Sequence, residues 1–106
     1  MPPMFHDLGR LAEPAITVLV ALSDGPKHGY AIMADAELIT GEPIGPGTLY
    51  AVLARLESRH LIEALEPEDR RRPYRLTSAG AAALATHLAA VAALVQTGQT
   101  RLEAHR

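Results

Sequence analysis

The chain has no cysteine and no tryptophan, one phenylalanine and three tyrosines. The missing thiols exclude a disulfide framework, a thiolate zinc site and a cysteine nucleophile. With aromatics this scarce, small aliphatic side chains must build the core, and nineteen alanines and fifteen leucines supply them. That mixture favours helices. The 106 residues have room for one domain, and its core is modest, so an oligomer is expected. No basic start leads into an apolar run, so no secretory leader is expected and the chain is placed in the cytoplasm. Glycine-rich phosphate loops, nucleophile elbows and helical metal pairs are also missing. His6, His28, His60, His87 and His105 form no i, i+4 pair. The expectation is therefore no enzyme, no cofactor and no metal.

Excess positive charge is missing too. Ten basic and twelve acidic residues give a net charge of −2, so any nucleic-acid function must come from local placement. Residues 1–44 carry two basic and six acidic side chains (net −4), residues 45–76 six and five (+1), and residues 77–106 two and one (+1). Nine of the ten cations are arginine, which offers planar forks rather than point charges.

The chain divides into an N-terminal arm or short helix (1–13), a compact domain (14–76) and a final helix (77–106). The arm holds Met4, Phe5, Leu8 and Leu11. Pro14 suits the first turn of a helix whose stripe is Ala15, Val18, Leu19 and Leu22, widened by Ile16 and Val20. Gly25 and Pro26 stop it. A second helix is expected over His28–Thr40, with Tyr30, Met33, Ala34 and Leu38 on one face and Gly41 at its end. Residues 42–45 read as a connector or short strand. A third helix starts at Pro46 with Gly45 as its cap, and Leu49, Val52, Leu53 and Leu56 form its stripe.

Residues 61–66 and 74–76 read as antiparallel strands, joined by a connection that holds Arg70, Arg71 and Arg72. Thr77 caps the last helix. Ala81, Leu84, Leu88, Val91, Val95, Gly98 and Leu102 recur there at alternating spacings of three and four, the pattern of a coiled-coil seam. No charged residue lies between Thr77 and Thr100. Alanine dominates the stretch, Thr86, His87 and Gln96 interrupt it, and no charged anchor precedes it. It therefore reads as a helix seeking a partner helix rather than as a membrane span. Leu84, Leu88, Val91, Val95 and Leu102 are the expected dimer contacts.

Three helices, a two-stranded hairpin and a long helix spell a mainly α winged helix-turn-helix with a C-terminal dimerisation helix. In that arrangement the third helix enters the major groove of DNA. With its leucines inward, Gly47, Thr48, Ala51, Ala54, Arg55 and Ser58 face outward. Small residues permit close approach, Thr48 and Arg55 can reach base edges or phosphates, and Tyr50 can donate to the backbone. The free amides near Gly47 and Thr48 favour a phosphate oxygen. Arg70, Arg71 and Arg72 at the wing tip would neutralise phosphates or enter a minor groove. Lys27 and Tyr30 complete the expected DNA-facing set.

Several stretches carry a family likeness. Gly25-Pro26-Lys27-His28-Gly29-Tyr30-Ala31-Ile32 resembles the GPxHGYxI signature of PadR-type transcriptional regulators, and Gly45-Pro46-Gly47-Thr48-Leu49-Tyr50 resembles their SPGTLY. Leu53-Ala54-Arg55-Leu56-Glu57 and Leu61-Ile62-Glu63 follow LxRLE…GLIE, and residues 72–80 resemble RxYYRLTxxG. The likeness spans about residues 14–80, in order and at matching distances. Gly45 replaces a capping Ser or Thr, and His60 replaces a helix-closing glycine. The resemblance implies a homodimeric regulator, a repressor, on palindromic double-stranded DNA. It also implies release by a small aromatic effector, for which Met4, Phe5, Leu8 and the apolar residues of the last helix are the candidate lining. There is no tryptophan to stack on a planar ligand. A winged helix that docks proteins instead of DNA is the alternative, and the net charge of −2 fits it as well.

Overall fold

The structure, a computed structural model, describes residues 12–105. Helix α1 spans Ala12–Leu22, and strand β1 (Lys27–His28) leads into α2 (Gly29–Thr40). Helix α3 (Pro46–Ser58) is followed by β2 (Ile62–Ala64), β3 (Pro73–Leu76) and the long α4 (Ser78–Ala104). The candidate effector residues Met4, Phe5 and Leu8 lie outside the described residues.

The core forms where α1 and α3 present the stripes that their spacing predicts. Ala15, Val18, Leu19 and Leu22 are buried against Leu49, Val52, Leu53 and Leu56. Each fully buried leucine contributes roughly 2 kcal/mol through removal of apolar surface from water. Ile62 and Leu61 close the sheet side, and Ala83 and Leu84 close the α4 side.

Helix α2 turns a different face inward from the one its spacing suggested. Gly29, Ile32 and Ala36 are buried, whereas Tyr30 is 75% and Leu38 84% exposed. Apolar residues surround this helix, so periodicity alone leaves its orientation open. Size decides it: glycine and alanine let the α2 backbone approach its neighbours, and Ile32 fills the gap. Met33 and Ile44 still pack at the edge of the core. Residues 42–45 form no strand.

Local chemistry ends the helices where glycine or a cap allows. Gly41 adopts φ 79°, and its amide donates to Glu37 O at 2.8 Å. Helix α3 closes through His60, whose φ is 59°. His60 N donates to Glu57 O at 2.9 Å and Leu61 N to Leu56 O at 3.0 Å, the bond pair of a Schellman cap. Histidine thus occupies a left-handed position normally given to glycine.

The sheet has three strands in the order β1-β3-β2, all antiparallel. The hairpin expected from sequence is β2-β3. The extra strand β1 pairs Lys27 with Tyr74 and His28 with Pro73, which ties the start of α2 to the wing. Beyond the ladder, Leu65 N donates to Pro73 O at 2.8 Å. At the tip, Glu68 and Arg71 exchange backbone bonds of 2.7 and 2.8 Å. Asp69 and Arg70 between them have φ of 49° and 67°. Positive φ at both central residues is the type I′ arrangement, whose twist matches that of the strands.

Thr77 starts α4 by accepting from Gly80 N at 3.0 Å while donating to His60 O at 2.7 Å. Gly80, Ala83, Leu84 and His87 are buried, so the first turns of α4 belong to the same core as the winged helix. Leu84, expected at a dimer seam, is 5% exposed and packs inside its own chain. From Leu88 to His105 every residue is exposed. By length and composition α4 could cross a membrane, but its first turns are committed to the core.

Candidate nucleic-acid interface

The outward face of α3 is open. Gly47, Thr48, Ala51, Ala54, Arg55 and Ser58 are all exposed, and among them only Thr48, Arg55 and Ser58 have side chains longer than a methyl group. Ser58 Oγ turns back to Arg55 O at 2.8 Å, which leaves Thr48 and Arg55 to reach outward. Gly45 caps α3 in extended conformation without a side-chain bond. The first-turn amides of Gly47 and Thr48 therefore have no capping side chain, and such amides suit an anionic oxygen.

Beside this face, two helices, two strands and the wing tip meet around a cleft of about 520 Å³. Helix α2 contributes Gly29 and Tyr30, β1 His28, α3 Tyr50, β3 Tyr74, and the wing Arg70, Arg71 and Arg72. No carboxylate lines it. A chain of net charge −2 thus holds a local concentration of cation. The Tyr50 hydroxyl sits over Gly29 so closely that a methyl group on that α-carbon would lie 3.0 Å from it. This close approach gives Gly29 its place: it lets Tyr50 lie across the start of α2 with its ring 57% exposed. Burial pushes the Tyr74 hydroxyl above its ordinary pKa, the neighbouring Glu57 and Tyr50 add to the shift, and Arg72 opposes it.

The arginine triplet is not uniform. Arg72 Nη1 donates to Leu65 O at 2.9 Å and braces the wing. Arg71 Nη1 lies 3.2 Å from His28 Nε2. Arg70, at the left-handed tip, is exposed and makes no side-chain bond among the described residues. The sequence treats the three alike because nothing local distinguishes them.

Lys27 departs from the expected set. Its ammonium bonds Ala21 O at 2.5 Å, pairs with Asp24 and lies 3.7 Å from Asp35. Only 19% of the side chain is exposed. Among these acidic neighbours the cation clamps the turn between α1 and α2. Conversely, His28 stands in the cleft although the expected DNA-facing set omits it. Its position at the N-cap of α2, just before Gly29 and Tyr30, was the available signal. No group of three or more metal-binding side chains occurs among the described residues.

Comparison with known proteins decides the class. Residues 18–86 match the profile described as the transcriptional regulator PadR-like family. The chain belongs to the PadR-like family. Members are winged-helix transcription regulators that bind DNA, not enzymes. An uncharacterized 37.1 kDa protein in transposon Tn4556 of Streptomyces fradiae is 51% identical over 71 residues, 67% of this chain and 21% of that protein. The chain thus spans 21% of the length of that relative. Among solved structures, a transcriptional regulator from Clostridium thermocellum superposes with TM-score 0.72 at 26% identity, over 86% of this chain and 93% of the other. A PadR family transcription regulator from Clostridium difficile gives TM-score 0.72 at 25% identity, over 83% and 96%. Both likenesses cover a larger share of the chain than the family profile does.

Proposed function

We propose that this PadR-like chain is a cytoplasmic, homodimeric, sequence-specific transcriptional repressor. The observation that carries the reading is the pairing of two open surfaces on one molecule. The small-residue face of α3 stands beside an arginine-lined wing cleft, and the far half of α4 exposes Leu88, Val91, Leu94, Val95 and Leu102. Joining two α4 helices along that apolar stripe pairs two α3 helices. A separation of about 34 Å, one DNA turn, would let them read a palindrome.

In this mode α3 lies in the major groove. Thr48 and Arg55 read base edges or phosphates, Tyr30 and Tyr50 donate to the backbone, and Gly47 and Ala51 allow close approach. The wing arginines neutralise phosphates alongside. A small aromatic effector that releases DNA is part of the proposal. Its lining would be the apolar residues of α4 with Met4, Phe5 and Leu8.

Selection of bound duplexes from a random pool tests this reading. The expected result is an enriched palindrome whose binding weakens steeply with salt. Failure to enrich any duplex, with no retarded band at low salt, would remove the regulator reading. One observation favours a protein-docking module instead: the exposed apolar face of α2, with Leu38 84% exposed. A stoichiometric protein partner without DNA binding would support that alternative.

A further inference from the structure

We infer that His28 is a phosphate-binding residue of the DNA interface, its Nε2–H sharing one backbone phosphate oxygen with the guanidinium of Arg71. The inference rests on the DNA-binding reading above and adds a residue that the expected contact set lacks.

It follows from a count of donors and acceptors. His28 Nδ1 accepts from Ala31 N at 3.4 Å and so caps α2. His28 Nε2 lies 3.2 Å from Arg71 Nη1 in the wing. Both neighbours are donors, and the guanidinium keeps its protons. A neutral imidazole has one lone pair for hydrogen bonding, so it can accept from only one of them. With the lone pair on Nδ1, the cap is made and two N–H groups face each other across the wing contact. With the lone pair on Nε2, Arg71 is held and the α2 amide loses its cap. The free protein cannot satisfy both.

An anionic oxygen between Nε2 and Arg71 resolves the conflict. It accepts from both groups and leaves the Nδ1 lone pair to the cap. No carboxylate in the cleft can play this part, and the other charged groups lining it are Arg70 and Arg72. The DNA backbone supplies such an oxygen wherever the cleft meets a duplex. His28 also sits on β1, whose pairing with Pro73 fixes the imidazole next to the wing. The phosphate would therefore lock wing, sheet and α2 together.

Two isosteric substitutions separate the roles of the two nitrogens. The amide oxygen of His28→Asn replaces Nδ1 and keeps the cap, but nothing replaces Nε2. The longer amide of His28→Gln reaches the Nε2 position but caps poorly. Binding of a labelled random-sequence duplex is followed by anisotropy across a salt series, with thermal unfolding measured in parallel. His28→Asn is expected to unfold like the parent and to bind about tenfold more weakly, with the salt slope unchanged because the imidazole that donates is uncharged. His28→Gln is expected to unfold earlier yet keep most of the parent affinity. Parental affinity in His28→Asn, or an equal loss of affinity in both variants, would overturn the inference. If the parent protein binds no duplex, the DNA-binding reading fails, and this inference fails with it.

Discussion

Gly80 lies directly against the backbone of Leu61. A methyl group at its α-carbon would penetrate the Leu61 carbonyl oxygen and stand 2.9 Å from the carbonyl carbon. Thr77 bridges the same junction, donating to His60 O at 2.7 Å and accepting from Gly80 N at 3.0 Å. The cap of α3, the start of β2 and the first turn of α4 are thereby fixed to one another. The unit that carries the apolar α4 stripe is thus locked to the unit that carries α3.

Gly80→Ala should therefore be destabilising, although alanine is the better helix former. The clash is with backbone, which cannot rotate away. A loss of about 3 kcal/mol is expected from overpacking at this site. Urea unfolding of the two proteins measures it, and equal midpoints would contradict the close approach.

Arg70→Gly should separate stability from binding. Arginine at φ 67° is strained, and glycine relieves that strain at some entropic cost. Stability should hold or rise by up to about 1 kcal/mol. Affinity for duplex DNA should fall, with the salt slope reduced by about 1. An unchanged slope would remove Arg70 from the phosphate contacts.

Val91→Glu probes the α4 stripe. Val91 is 42% exposed within the chain, so a carboxylate there costs the single subunit little. In an apolar seam between two helices it would be desolvated and unpaired. Sedimentation should report monomers, and DNA affinity should fall about a hundredfold as the second half-site is lost. A dimer of parental strength would place the interface elsewhere.

Asp24→Asn tests the clamp on Lys27. The hydrogen bond and charge of Lys27 hold the Asp24 carboxyl below its ordinary value of 3.8. A folded-state value below the unfolded one stabilises the protein at pH above the unfolded value. The contribution is lost as pH falls through the folded value. The variant should therefore be less stable than the parent near neutrality. The two stability curves should converge below about pH 4. A gap that persists undiminished into acid would show that the ion pair is not its source.

The sequence by itself determined the order of the elements, the inward stripe of α3, the caps at Gly41 and Thr77 and the open face of Thr48 and Arg55. Each is written in short-range terms, as a spacing along one helix or the chemistry of one turn. Only the tertiary structure decided which side of α2 is buried, that Leu84 belongs to its own core, and that Lys27 is tied down. It also paired β1 with β3 and divided the arginine triplet into a brace, a neighbour of His28 and a free tip. Those outcomes depend on what a residue meets from a distant part of the chain. Residue size, competing carboxylates and the limited lone pairs of an imidazole select among arrangements that local pattern leaves equivalent.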